Sequence, residues 1–362
     1  MRRDLPEDCA DLWSALAALL AAFGRIEDRL QPDRLSAEAD VLEPLATALQ
    51  ARCDPSGIGN TSSSPEKHVL LRAAAQVLQA TARFATARVG PHEILKAFQS
   101  LRPLARAREI LYELIHLPLI NAHFLGCSVD DGISMIERTE RAQREQPGPR
   151  GILHFENQRG KRGGYSLYIP EYYSPQQRWP LVIALHGGSG HGADFFWSWL
   201  PDARRSGCIL AAPTSRGRTW SLHSPGQDAA GLNAMLAHIS ENWNVDTARV
   251  LLTGISDGGT YAMLLSIVPQ SPFTHFAPVA AAVHVLVNAD GVVLAPVRDL
   301  PVYQVHGALD WMFPVEKARA AADALKQAGA QITYRELPDL SHNYPRDENP
   351  HILRWFSPEF SA

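Results

Sequence analysis

The chain has 362 residues and a formal net charge of -4, with 46% apolar and 20% charged residues. At roughly 100–200 residues per domain, this length predicts about two domains with a sizeable buried core. The composition is that of a soluble globular protein, and the slightly acidic balance argues against a general nucleic-acid binder, which would carry a basic excess.

The four cysteines, Cys9, Cys53, Cys127 and Cys208, are scattered along the sequence. They form no C-x-x-C pair, so their spacing predicts neither a zinc site nor a redox dithiol. We therefore expect buried or unreactive thiols rather than the disulfide framework of a small secreted domain.

The N-terminus resembles a secretion signal only superficially: Met1-Arg2-Arg3 precedes an apolar run over residues 12–23. A signal peptide has a positive start and an uninterrupted apolar segment, and a membrane span needs about 20 residues. Here four acidic residues stand before the run, namely Asp4, Glu7, Asp8 and Asp11. We predict a buried amphipathic helix without a membrane span, and a cytoplasmic protein.

Residues 1–147 are predicted to form an all-helical domain. Apolar residues recur at helical spacing, and Pro32, residues 54–65 and Gly90-Pro91 separate the segments. The predicted helices cover residues 12–30, 42–49, 66–87, 93–114 and 135–146, with Asp130-Asp131 capping the last one. Residues 146–149 are a linker by composition. The role of the helical domain is left open between a lid, a packing domain and a dimerisation surface that makes a homo-oligomer.

Residues 148–362 alternate between strand and helix patterns. Predicted strands cover 152–156, 165–169, 181–185, 209–212, 250–252, 278–284, 302–305 and 332–337; predicted helices cover 228–243, 260–268, 315–328 and 352–356. Continuous apolar strands joined by helical crossovers are typical of a parallel sheet covered on both faces. The predicted fold class is therefore α/β, with a mostly parallel central sheet flanked by helices.

The sequence Gly254-Ile255-Ser256-Asp257-Gly258 matches the G-x-S-x-G nucleophile elbow. In such a turn a strand bends sharply into a helix, and the flanking glycines let the two elements approach without a Cβ clash. The apolar strand before this motif and the helix after it supply that context. We predict that Ser256 is a catalytic nucleophile.

A nucleophilic serine needs a base and a group that orients the base, in the chain order Ser, Asp or Glu, His for this fold. Asp310 follows the predicted strand 302–305, and His342 follows the last strand. We predict these two as acid and base. Asp290, Asp339 and His351 are the alternatives. His186 and His306 are interpreted as hydrogen-bonded structural residues.

The strand 181–185 ends in His186-Gly187-Gly188-Ser189-Gly190, which resembles the HGGG-type loop of lipases and esterases. We predict that backbone N–H groups of Gly188 and Asp257 form an oxyanion hole. A phosphate-binding loop is disfavoured because the Lys-Ser/Thr ending and the G-x-G-x-x-G spacing are missing.

Aromatic residues follow these loops and predict an apolar pocket, although each is singly a candidate for the core. The pocket candidates are Phe195, Trp197, Trp220, Trp311 and Phe313.

Residues 165–358 resemble the small serine esterase branch of the α/β-hydrolase superfamily, with similarity to phospholipase/carboxylesterase-like, feruloyl-esterase-like and polyhydroxyalkanoate-depolymerase-like proteins. The resemblance rests on residues 165–170, 179–190, 249–260, 306–315 and 341–356. It implies a Ser256–His342–Asp310 triad, an acyl-enzyme intermediate, a small-molecule ester substrate, and no cofactor or metal. It does not extend to residues 1–145. A peptidase using the same triad and a non-catalytic binding protein on the same fold are the alternatives.

Overall fold

The computed structural model describes residues 4–53, 64–87, 93–145, 148–287, 293 and 296–360. The chain divides into two compact units, Met1–Glu140 and Arg141–Ala362. The sequence places the domain boundary after residue 147, close to this division, which falls inside the helix Val129–Glu145. Gln146 and Pro147 of the linker interpretation, the breaker Gly90-Pro91 and residues 54–63 lie outside the described residues.

The described part of the N-terminal unit is helical. Its longest helices bury one apolar face each, as their spacing predicts: in α1, Leu12, Leu16, Leu19 and Phe23 are buried. The helices are α1 (Glu7–Arg29), α2 (Leu35–Cys53), α3 (Pro65–Ala87), α4 (Glu93–Ser100), α5 (Arg102–Tyr112), α6 (Pro118–Leu125) and α7 (Val129–Glu145).

Two helical predictions are wrong in detail. The helix predicted over residues 93–114 is two helices, because Pro103 occupies an early position of α5, where its missing N–H costs no hydrogen bond. Ser128 is the N-cap of α7, and of the predicted pair Asp130-Asp131 only Asp131 takes part in the cap. Its hydroxyl accepts from the Asp131 N–H at 3.2 Å, and the Asp131 carboxylate accepts from the Ser128 N–H at 3.1 Å. Helix α6 was not predicted.

Helix α1 is long and apolar enough, at a mean hydropathy of 1.4 over 18 residues, to cross a membrane by length and composition. Half of that segment is buried. A core helix and a signal sequence share these properties, so length and composition do not separate them.

An eight-stranded sheet forms the centre of the second unit, in the order β1-β2-β4-β3-β5-β6-β7-β8. The pairs β1/β2 and β2/β4 are antiparallel, and the remaining pairs are parallel. This topology with flanking helices is the α/β-hydrolase fold, so the predicted fold class is confirmed. The strands are β1 (Gly151–Phe155), β2 (Tyr165–Ile169), β3 (Trp179–Leu185), β4 (Ile209–Pro213), β5 (Val245–Ile255), β6 (His275–Val279), β7 (Pro301–Gly307) and β8 (Gln331–Leu337).

The central strands β3 and β4 are buried along their whole length, as their continuous apolar sequences predict. The helices of this unit are α8 (Gly192–Phe195), α9 (Leu200–Ser206), α10 (Gly226–Asn242), α11 (Asp257–Ser266), α12 (Val315–Gln327) and α13 (Asn349–Phe356).

The strand predicted over residues 278–284 is misplaced. Strand β6 is His275–Val279, and the chain leaves the sheet at Ala280, whose φ of 46° lies outside the β region. Residues Val283–Leu286 form a 3-10 turn instead. An alanine gives no sequence signal for a positive φ, so the apolar run reads as one continuous strand.

The topology gathers loops from distant parts of the sequence at one edge of the sheet. The carboxyl ends of β3, β4, β5, β7 and β8 lie at this edge because these strands run parallel. The turn between β1 and β2 also lies there, because Tyr165 at the start of β2 pairs with Pro213 at the end of β4. Ligand sites of open α/β sheets form at this edge.

Candidate active site

Ser256 occupies the sharp turn between β5 and α11. Its backbone has φ 54° and ψ -121°, a strained conformation for a residue with a side chain. The turn is closed so tightly that a Cβ on Gly258 would lie 2.5 Å from the carbonyl oxygen of Leu185, and one on Gly254 would lie 2.7 Å from the backbone of Gly258. The two glycines of the motif are therefore required by sterics, and they lift Ser256 above the sheet edge.

The structure brings the three predicted triad residues together. Nε2 of His342 lies 3.0 Å from Oγ of Ser256, and Nδ1 of His342 lies 2.9 Å from Oδ2 of Asp310. With Nδ1–H donating to the carboxylate, Nε2 is the free acceptor for the serine hydroxyl. All three residues are buried, so water competes little for these hydrogen bonds.

The Asp310 carboxylate is held in its ionised form. Burial acts to raise its pKa, but the hydrogen bond and charge of His342 and two backbone N–H donors hold the pKa below the ordinary value. Those donors are Met312 and Phe313, at 2.9 and 2.7 Å from Oδ1. An ionised and fixed carboxylate can orient the imidazole and stabilise its protonated form.

The loops that carry Asp310 and His342 are fixed to each other. The backbone N–H of Leu309 donates to the carbonyl of Leu340 at 3.0 Å. Gly307, at the end of β7, packs so closely that a Cβ there would lie 2.2 Å from the same carbonyl oxygen. This backbone contact sets the separation between acid and base, and the sequence motif gave no indication of it.

The alternatives for acid and base lie elsewhere or outside the described residues. Asp339 is exposed just after β8. His351 is exposed at the start of α13, with Nδ1 2.8 Å from Arg354. Asp290 lies outside the described residues.

The two remaining histidines near the site have structural contacts. Nδ1 of His186 donates to the Gly187 carbonyl at 2.7 Å, while Nε2 accepts from the Ser215 N–H at 3.1 Å. Burial, together with the charge of Arg162, lowers the pKa of His186 to about 3. Nε2 of His306 donates to the Phe313 carbonyl at 2.9 Å, in the loop of Asp310. Both imidazoles thus support backbone loops of the site.

The two predicted oxyanion-hole residues lie against each other. A Cβ on Gly188 would lie 2.7 Å from Oδ2 of Asp257. Asp257 is the first residue of α11, where backbone N–H groups have no intrahelical acceptor and the helix dipole favours negative charge. The Asp257 side chain thus lies against Gly188, and the Asp257 N–H lies directly after the nucleophile; the assignment of these two residues as oxyanion donors stays a prediction.

Sequence reasoning missed the loop after β4, which supports this arrangement. The hydroxyl of Thr219 donates to the Asp257 carboxylate at 2.5 Å, and Nε1 of Trp220 donates to the His186 carbonyl at 2.8 Å. The Arg218 carbonyl accepts from the Ser189 N–H at 2.8 Å. Nothing in the local sequence of this loop indicates these long-range bonds.

The five aromatic pocket candidates occupy different places. The rings of Trp311 and Phe313 contact His342, at centroid distances of 5.7 and 5.2 Å, and Trp311 is 43% exposed. Phe195 packs edge-on against Tyr344. Trp197 and Trp220 are buried, the first against Phe196 and the second stacked on Tyr261. Trp311 and Phe313 are thus the candidates placed beside the base.

Within the described part of the chain, no group of three or more His, Cys, Asp or Glu side chains is placed to hold a metal ion. The thiols of Cys9, Cys53, Cys127 and Cys208 are free, and burial raises the pKa of Cys208 beyond the physiological range.

No family model matches the chain. The bifunctional acetylxylan esterase/xylanase XynS20E of Neocallimastix patriciarum is 24% identical over 203 residues, which are 55% of this chain and 28% of that protein. Feruloyl esterase C of Emericella nidulans is 28% identical over 116 residues, 30% of this chain and 43% of that protein. The chain thus spans less than half the length of either relative. Both are named as esterases, in agreement with the resemblance of residues 165–358.

Among solved structures, the apo form of Thermogutta terrifontis esterase 2 is 19% identical, with a TM-score of 0.45 over 58% of this chain and 91% of that chain.

Proposed function

We propose that this chain is a serine esterase that hydrolyses carboxylic esters through an acyl-enzyme intermediate. The observation that carries the proposal is the continuous hydrogen-bonded series Ser256–His342–Asp310, with contacts of 3.0 and 2.9 Å. The esterase relatives support the choice of an ester substrate.

In the first step, His342 Nε2 removes the hydroxyl proton of Ser256 as Oγ attacks the ester carbonyl carbon. The carbonyl π electrons move to oxygen, and the resulting oxyanion accepts hydrogen bonds from the backbone N–H groups of Gly188 and Asp257. Asp310 stabilises the imidazolium. The carbonyl then re-forms, the alcohol leaves with the proton from His342, and the acyl group remains on Ser256.

In the second step, His342 removes a proton from water, which attacks the acyl-enzyme carbonyl. The same donors hold the second oxyanion. Collapse of this intermediate breaks the bond to Ser256, whose oxygen regains the proton from His342. The products are the carboxylic acid and free enzyme, and the pre-set geometry of the three residues supplies both proton transfers.

The test compares hydrolysis of p-nitrophenyl acetate and butyrate with that of aminoacyl p-nitroanilides by the full chain. The proposal predicts ester turnover that greatly exceeds anilide turnover. Cleavage of the anilides in preference to the esters would point to a peptidase with the same triad. Absence of turnover on both substrate classes, with Ser256 also unreactive to a phosphonate inhibitor, would point to a binding protein.

A further inference from the structure

Basic residues are concentrated in two loops of the second unit. Residues 157–164, between β1 and β2, have the sequence Asn-Gln-Arg-Gly-Lys-Arg-Gly-Gly, and residues 214–220, after β4, have the sequence Thr-Ser-Arg-Gly-Arg-Thr-Trp. Together they contain five basic residues and no acidic residue, in a chain whose net charge is -4. This clustering of basic residues in a chain with a net negative charge indicates a specific role for the two loops.

Both loops lie at the sheet edge that carries Ser256. The first leads into Tyr165 and the second follows Pro213, and these two residues are paired in the sheet. The loops are also bonded to each other: the Thr214 N–H donates to the Gly164 carbonyl at 2.9 Å, and Nε of Arg162 donates to the Ser215 carbonyl at 3.0 Å.

The same loops hold the glycine-rich segment that follows β3. Nη1 of Arg162 donates to the Gly190 carbonyl at 2.6 Å. Nη2 of Arg218 donates to the Ser189 hydroxyl at 3.3 Å, while the Arg218 carbonyl accepts from the Ser189 N–H. Positive side chains are therefore placed one and two residues from Gly188, a proposed oxyanion donor.

Only part of this charge is neutralised within the chain. Arg159 forms an ion pair with Asp194 at 2.7 Å. Among the described residues, Lys161, Arg216 and Arg218 have no carboxylate within ion-pair distance, and all three are exposed. We call these three residues the cationic rim. Asp228, the nearby buried acid, has both oxygens occupied by the backbone N–H groups of Arg216 and Ser221.

The charges of these loops also act on a neighbouring histidine. Burial lowers the pKa of His191, and the charges of Arg162 and Arg159 lower it further. The hydrogen bond to the Lys161 carbonyl and the charge of Asp194 oppose this effect.

A cleft of about 860 Å³, a volume within the range of small-molecule sites, has one residue of the rim, Arg216, in its lining. Its lining includes Arg162 and Arg216, the aromatic residues Phe155, Tyr165 and Trp220, and the acids Glu156 and Asp228. Trp220 also contacts His186, so one side chain connects the cleft wall to the segment holding Gly188. The cleft can hold a ring-sized group with its charge toward Arg216.

We propose that the cationic rim binds a carboxylate carried by the ester substrate. The inference rests on the proposed esterase function for the reaction, and it names the substrate class. Exposed guanidinium groups recognise carboxylates through paired N–H donors. A small acid fits better than a polyanion, because the rim has only three basic residues, of which Arg216 lines the cleft, in a chain whose net charge is -4.

The first measurement is equilibrium binding by calorimetry to the full-length Ser256→Ala variant. One ligand pair is 4-acetoxybenzoate and its neutral amide, which place the charge on the alcohol side. The other is monomethyl adipate and its ω-amide, which place it on the acyl side. We expect one carboxylate to bind about fivefold to tenfold more tightly than its amide, a preference that weakens as salt rises from about 0.05 to 0.5 M.

The combined change Arg216→Gln and Arg218→Gln on the same background should abolish this preference. Lys326→Gln is the matched control, because this exposed lysine lies in the last turn of α12, which runs away from the catalytic edge. Equal affinity for acid and amide in both pairs, or a preference that survives the double change, would overturn the proposal.

Wild-type kinetics on the same esters separate this proposal from the esterase function. If the wild type hydrolyses the ester bond of the uncharged amides as fast as that of the corresponding acids, the esterase function stands and the rim proposal is rejected. Selective binding of an acid by Ser256→Ala, with no turnover of any ester by the wild type, would uphold the rim and reject the function.

Discussion

The hydroxyl of Thr219 donates a 2.5 Å hydrogen bond to the carboxylate of Asp257, the residue directly after the proposed nucleophile. This bond joins the loop after β4 to the N-terminus of α11. The Asp257 carboxylate in turn lies where a side chain on Gly188 would be. Thr219 therefore fixes the Asp257 side chain that lies against Gly188.

Thr219→Val should lower kcat about tenfold and leave KM nearly unchanged, less than the ~100-fold loss typical of deleting a donor itself. The reason is that Asp257 loses the bond that holds it against Gly188. Thr219→Ser retains the hydroxyl and should keep most of the activity. Steady-state kinetics on p-nitrophenyl butyrate test this. Full activity of Thr219→Val, which keeps the methyl group and lacks the hydroxyl, would contradict a role for this hydrogen bond.

Asp310→Asn should lower kcat by roughly 10³–10⁴, because an amide can hold His342 in the wrong tautomer and cannot stabilise the imidazolium. Asp339→Asn changes an exposed acid of the neighbouring loop and should retain full activity. The comparison uses kcat for the same ester at pH 7.5. Near-normal activity of Asp310→Asn would exclude it as the orienting acid.

Gly307→Ala should destabilise the fold by about 1–3 kcal/mol, the usual cost of forcing extra volume into packed structure. The added Cβ would lie 2.2 Å from the Leu340 carbonyl oxygen, so one of the two catalytic loops must move. Gly226→Ala is the matched control, because its Cβ would meet nothing within 4 Å. Urea unfolding and kcat should both separate the two variants; indistinguishable behaviour would contradict the close contact.

His186 should make stability fall below pH 6.5. Its folded-state pKa is lowered from 6.5 to about 3 by burial, so protons bind the unfolded chain first as the pH drops. This contribution is fully present above pH 6.5 and is lost at about 1.4 kcal/mol per pH unit down to about pH 3. Between pH 6.5 and 5, the unfolding free energy of the wild type should therefore fall by about 2 kcal/mol relative to that of His186→Gln. Imidazole NMR provides the direct check, since protonation of folded His186 near pH 6 would refute the prediction.

The sequence predicted those parts of the site that depend on local turn chemistry and chain order. Short local segments of the sequence predict the elbow around Ser256 and the strand ends before Asp310 and His342. Parallel strands then bring those ends to one edge of the sheet. The same reasoning predicted the sheet and its flanking helices, since buried strands are continuously apolar.

Three other features of the structure have no such pattern in the sequence. The fit of Gly307 against Leu340 depends on how two loops approach, and the bond of Thr219 to Asp257 spans 38 positions. The early end of β6 follows from a positive φ at Ala280, a residue type that normally avoids it. Tertiary packing decides all three, so they required the structure.

The most direct test of the central claim is covalent labelling of Ser256 by a fluorophosphonate, located by peptide mass spectrometry. The proposed mechanism predicts one adduct on the peptide containing Ser256, no adduct there in Ser256→Ala, and labelling slowed at least about 100-fold in His342→Gln, since the base contributes about that much or more. An adduct at another serine, or labelling of Ser256 that is equally fast without His342, would contradict a triad-activated nucleophile.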